Sequence, residues 1–121
     1  MKILIVDDSK AMRMIVRKTL RQAGYGDHEV EEAVDGADAL AKIQTSTPDL
    51  VISDWNMPQM SGIQLLQALR QGGNGVAFGF VTSESSGEMR QLASDSGALF
   101  LISKPFTADT FQQHLGTILA A

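Results

Sequence analysis

Apolar residues in this chain fall into short continuous runs separated by stretches of helical periodicity, and the alternation repeats five times. Ile3-Leu4-Ile5-Val6, Leu50-Val51-Ile52, Val76 to Val81 and Leu99 to Ile102 carry little polar interruption, the pattern of parallel strands buried on both faces. Val30 to Val34 is more polar and reads as an edge strand. After a Ser9 cap, Met12, Ile15, Val16, Thr19, Leu20 and Ala23 recur at helical spacing, and Gly24 stops the helix. Arg13, Arg17, Lys18 and Arg21 fall on its other side, which reads as a solvated basic face, with partner docking as the sharper alternative. Asp35-Gly36 turns into a second helix with Ala37, Leu40, Ala41 and Ile43 inward, ended by Pro48. Ile63, Leu65, Leu66 and Leu69 define a third. Met89, Leu92 and Ala93 define a fourth that Gly87, Ser94 and Ser96 weaken, so it should be the most mobile. Phe111, Leu115, Ile118 and Leu119 define the last. Strict βα alternation predicts an α/β fold: a doubly wound, five-stranded parallel sheet with five helices on its two faces.

Composition narrows the class. A chain of 121 residues suits one domain with a single core. Its net charge of −4 argues against nucleic-acid binding driven by positive charge. With no cysteine, disulfides and thiolate metal sites are excluded. The four apolar residues before Asp7 are too few for a signal-peptide core, and no run approaches the ~20 that a membrane span needs. The expectation is a cytoplasmic, monomeric single domain without an attached output domain, acting away from nucleic acid and membrane. Gly72-Gly73-Asn74-Gly75 lacks the Lys-Ser/Thr ending of a phosphate-binding loop and reads as a turn. His28 and His114 have no ligand spacing, and the methionines form no metal motif.

The candidate chemistry lies at the strand ends. In an open α/β sheet, ligands bind just outside the carboxyl ends of the strands. Here those ends are Asp7 and Asp8, then Asp54, then Thr82, then Lys104. Two carboxylates ~5 Å apart at an effective dielectric near 20 repel by ~3 kcal/mol. Three negative charges less that of Lys104 leave a formal −2, a deficit that one divalent cation fills. Oxygen ligands without His or Cys favour Mg²⁺ over zinc or copper, and a substrate phosphate could complete its shell.

Taken in order, Asp7-Asp8, Asp54-Trp55-Asn56-Met57-Pro58, Thr82 and Lys104-Pro105-Phe106 resemble the receiver domains of bacterial response regulators. Ile52 to Pro58 and Glu31-Glu32-Ala33 are most similar to the stand-alone, CheY-like chemotaxis regulators. The resemblance covers essentially the whole chain. It implies the flavodoxin-like strand order 2-1-3-4-5, which is carried over with the family. It implies that Asp54 accepts a phosphoryl group from a histidine kinase's phosphohistidine or from a small acyl phosphate. Asp8 would ligate Mg²⁺ directly, Asp7 mostly through water, and Asn56 through its backbone carbonyl. Thr82 would donate a hydrogen bond to the phosphoryl group, Lys104 would pair with it, and the Lys104-Pro105 peptide would be cis. Asn56 and Glu84 stand at the two positions that tune hydrolysis, as in fast-turning regulators, so a phosphorylated state of seconds to minutes is expected. The chain would then be a phosphoacceptor that catalyses its own phosphoryl transfer and autodephosphorylation, not an enzyme acting on other molecules.

Output would go to a separate protein, a flagellar motor switch or a pilus-motility component. A phosphate sink, a phosphorelay intermediate and an inert pseudo-receiver are the alternatives. A haloacid dehalogenase-type phosphatase resembles Asp-x-Asp after the first strand, whereas these acids are adjacent. A flavin binder would want a Ser/Thr/Gly loop where Asp7-Asp8 stands. One position departs from the family: Leu101 occupies the place of an aromatic switch residue. Phe100 beside it faces the opposite way in a strand and cannot substitute. Switching is therefore expected to rest on the Thr82–Ser83 loop and the weak fourth helix. Trp55, the only tryptophan, should pack near the site and report on it.

Overall fold

The computed structural model describes residues 1–119. Its strands are β1 (Lys2–Val6), β2 (Glu29–Ala33), β3 (Leu50–Ser53), β4 (Ala77–Thr82) and β5 (Phe100–Ser103). The helices are α1 (Lys10–Gln22), α2 (Gly36–Thr45), α3 (Gly62–Gln71), α4 (Gly87–Asp95) and α5 (Ala108–Leu115). All strand pairs are parallel and the order is β2-β1-β3-β4-β5, with the polar β2 at an edge as its sequence suggests. Each helix begins on a side-chain cap: Ser9, Asp35, Ser61, Ser86 and Thr107 each accept a first-turn N–H. No helix among the described residues is long and apolar enough to cross a membrane.

Strand alternation divides the core in two. Ile3, Ile5, Leu50, Ile52, Val81, Phe100 and Ile102 face α1 and α5. Leu4, Val6, Val51, Phe78, Phe80 and Leu101 face α2, α3 and α4. Sheets buried on both faces need uninterrupted apolar strands, and the central β1 and β3 supply them.

The helices correct the sequence reading in detail. In α1 the inward stripe is Arg13, Val16, Thr19, Leu20 and Ala23, while Ile15 is 49% exposed. Arg13 therefore leaves the solvated basic face to which its charge assigned it. In α2 it is Ala39 and Ile43 that are buried, and Ala37 and Ala41 are exposed. Helix α4 buries only Ala93, and Leu92 stands in solvent. Helix α5 stops at Leu115, although Ile118 and Leu119 still pack in the turn beyond it. Strand β5 begins one residue late, leaving Leu99 outside the sheet and exposed.

Candidate functional site

Four strands deliver the site. The β1 chain runs straight on into Asp7, whose N–H donates to the Ala33 carbonyl at 3.2 Å. Asp7 Oδ1 then accepts the Ser9 N–H at 2.9 Å, which turns the chain into α1. Asp54 continues β3 in the same way, its N–H donating to the Val6 carbonyl at 2.9 Å. Its Oδ1 accepts the Trp55 N–H at 2.8 Å, so one carboxylate oxygen is held by its own loop. That loop returns against the strand end, with the Gly62 N–H donating to the Trp55 carbonyl. A Cβ at Gly62 would lie 2.1 Å from the Asp54 carbonyl oxygen, so only glycine permits this approach.

Carboxylate oxygens of Asp7, Asp8 and Asp54 lie within 4.8 Å of one another. Lys104 Nζ reaches two of the three acids, 3.8 Å from Asp7 Oδ2 and 3.7 Å from Asp54 Oδ1. The Lys104 N–H donates to the Thr82 carbonyl at 2.8 Å, tying the ends of β4 and β5 together. Lys104-Pro105 is cis, as the family pattern implied. Thr82 is fully buried, and its hydroxyl accepts the Glu84 N–H at 3.3 Å, which leaves its own proton to donate.

Burial is the chief force on Asp7 and Asp54. It pushes the Asp7 carboxyl above its ordinary range, with Asp54 and Asp8 adding repulsion against the Ser9 amide and Lys104. Burial likewise raises Asp54, with Asp8 adding to it, while Lys104 and the Trp55 and Asn56 amides oppose. A mutually repelling oxygen cluster that runs from buried Asp7 through half-buried Asp54 to exposed Asp8 favours protons or a cation. Octahedral Mg²⁺ holds ligand oxygens ~3–4 Å apart, so a small contraction of this trio suits it.

A family profile described as the response regulator receiver domain matches residues 3–116. The chain belongs to the response regulator receiver family. Chemotaxis protein CheY-3 of Vibrio cholerae is 40% identical over 120 residues, covering 98% of this chain and 91% of that protein. Chemotaxis protein CheY of Pseudomonas aeruginosa is 37% identical, covering 98% and 95%. The solved structure of V. cholerae CheY4 superposes with a TM-score of 0.84 at 39% identity, covering 98% of each chain. These similarities support a phosphorylation-switched, two-component response regulator of the CheY-like kind.

Measured against the expected residue set, the structure gathers Asp7, Asp8, Asp54 and Lys104, with Thr82 joined through the Lys104 backbone. Asn56, Ser83 and Glu84 are exposed on the adjoining loops. Leu101 lies elsewhere, 7% exposed in the core facing α3 and α4. Trp55 is nearly buried against Phe80, with ring centroids 4.7 Å apart. The sequence reading missed Arg13, whose guanidinium lies behind the acid pair, and its partner Glu32. The signal was present, since Arg13, Val16, Leu20 and Ala23 follow the same 3-4-3 stripe.

Proposed function

We propose that Asp54 is the phosphoacceptor of a single-domain signalling switch, served by Mg²⁺ at Asp7, Asp8, Asp54 and the Asn56 carbonyl. The observation that carries the reading is Lys104 Nζ placed between Asp7 and Asp54 beside a carboxylate cluster. In the transfer, an Asp54 oxygen bonds to phosphorus as the bond to the donor's imidazole nitrogen or acyl oxygen breaks. Water later attacks phosphorus, releasing inorganic phosphate and restoring the carboxylate. Phosphoryl transfer is catalysed mainly by positioning and charge neutralisation. Magnesium, when bound, neutralises phosphoryl oxygens. Lys104 supplies a second positive charge and Thr82 a hydrogen-bond donor, while the Trp55 amide fixes the orientation of the Asp54 carboxylate.

Asn56 and Glu84 flank the site on exposed loops, where they would tune the access of water. The donor is a histidine kinase phosphohistidine or a small acyl phosphate. The output is binding of a separate motility protein, a flagellar motor switch or a pilus-motility component. The chain acts in the cytoplasm as a monomer, without nucleic acid or membrane. The CheY relatives and the absence of any excess positive charge support this reading.

Trp55 fluorescence tests it. Titration with Mg²⁺ should change the emission, and acetyl phosphate should change it again. Asp54→Asn should lose the second response. A wild type indifferent to acetyl phosphate, or a mutant that still responds to it, would reject the reading.

A further inference from the structure

The two β1 acids are joined by a peptide whose carbonyl is held by a side chain. The Asp7 N–H makes the last backbone bond toward β2. The Asp7 carbonyl instead accepts Arg13 Nη1 at 2.7 Å in a buried hydrogen bond. That carbonyl belongs to the planar unit linking Asp7 to Asp8, so its direction sets ψ of one residue and φ of the other. Both carboxylates are aimed by the same plane.

The guanidinium is itself clamped. Arg13 is 9% exposed, and its Nε donates to Glu32 Oε1 at 2.8 Å. Glu32 Oε2 accepts Arg17 Nη1 at 3.1 Å. Glu32 is level with Ile5 in the β1–β2 register, so it stands on the α1 face of the edge strand. Arg13 thus spans from β2 to the end of β1, one arm on each. Among the described residues its ion pair is with Glu32, not with the acids of the site. Its direct contact with the Asp7-Asp8 pair is the hydrogen bond to the Asp7 backbone carbonyl.

We propose that Arg13 is a positioning residue for the Asp7-Asp8 pair, orienting their shared peptide so that both carboxylates meet the cation together with Asp54. The inference rests on the Mg²⁺ reading above and deepens it. A lysine would keep the charge but lose the planar fork that reaches Glu32 and the carbonyl at once. Charge alone and geometry therefore make different predictions.

The experiment measures the Mg²⁺ dissociation constant by Trp55 fluorescence in the wild type, Arg13→Lys and Glu32→Ala, with circular dichroism to confirm folding. Supports to metal ligands commonly contribute tenfold or more in affinity, so Arg13→Lys should weaken Mg²⁺ binding by roughly tenfold. At saturating Mg²⁺, its acetyl phosphate response should return to within about threefold of wild type, because the reacting groups are untouched. Glu32→Ala, at a half-exposed position, frees the guanidinium without emptying a buried site and should weaken binding by about threefold or more. Glu32→Ala decides the matter should Arg13→Lys not fold. Wild-type affinity in Arg13→Lys, or in Glu32→Ala where that variant decides, overturns the positioning role and leaves the site reading standing. A wild type that does not bind Mg²⁺ overturns both.

Discussion

At Gly79 the sheet has no room for a methyl group. A Cβ there would lie 2.1 Å from Phe100 Cζ, since the Phe100 ring occupies the space above the glycine. Gly79→Ala should therefore cost about 1–3 kcal/mol by overpacking. Phe100→Leu should recover part of that loss in the double variant, as urea denaturation of the four-member cycle would show. Equal costs of Gly79→Ala in the two backgrounds would contradict this contact. The same scale explains why Leu101 and Phe100 cannot exchange roles. Leu101 joins the core under α3 and α4, while Phe100 faces α1 and α5 with its ring 6.1 Å from that of His114. Strand β5 thus carries an aromatic, but on the opposite face. Asp54 is also a residue-scale test, because burial and Asp8 both oppose its charge. Without divalent cations, Asp54→Asn should raise stability at neutral pH by on the order of 1 kcal/mol.

Among the elements, α4 is held least. It buries one residue, Ala93, and its Leu92 faces solvent. Polar bonds supply part of what packing does not. Arg90 Nη2 donates to Ser85 Oγ at 3.4 Å and to Ser103 Oγ at 3.3 Å, and the two serines are 2.9 Å apart. The β4–α4 loop, α4 and β5 are therefore joined through weak, exposed contacts suited to rearrangement. Phosphorylation should alter hydrogen-exchange protection across residues 83–96, and unchanged protection there would remove α4 from the switch. A Cβ at Gly87 meets nothing within 4 Å, so Gly87→Ala should stabilise the protein by ~0.5 kcal/mol and slow exchange in α4.

Helices also show what can be read in advance. Strands are legible because their apolar runs are too short for helices, are rich in β-branched residues and are bounded by turn residues, and the acids follow directly at their ends. Helix faces are less legible. In α1, Arg13 satisfies its charge with Glu32, a residue brought near only by the fold, so charge misreports its burial. In α2, small alanines at several positions leave the inward face ambiguous until Ala39 meets the sheet. The strand order comes from family resemblance, since spacing alone admits several parallel orders.

For the whole molecule, the acidic edge of the sheet costs stability at neutral pH. Asp7 and Asp54 carry raised carboxyl pKa values, so the folded state binds protons more readily there than the unfolded chain does. Their contribution to stability is complete below the ordinary value of 3.8 and is lost as pH rises through the raised values. With metal chelated, acidification toward that window should favour wild type relative to Asp54→Asn, as denaturation midpoints at successive pH values would reveal. Magnesium should shrink the difference, because at the proposed site it would compete with the protons and bind the folded state. No difference in pH dependence between the two proteins would contradict the burial penalty, and the smaller repulsion from Asp8, at Asp54.

The proposed function requires one carboxylate, Asp54, to receive the phosphoryl group. Borohydride reduces an aspartyl phosphate to homoserine, which marks the acceptor permanently. Wild-type protein treated with acetyl phosphate and Mg²⁺, reduced, digested and read by mass spectrometry should carry homoserine at position 54 and nowhere else, and omission of Mg²⁺ should abolish it. Homoserine at position 7 or 8, or none at all under conditions in which Mg²⁺ alters Trp55 emission, would contradict the account.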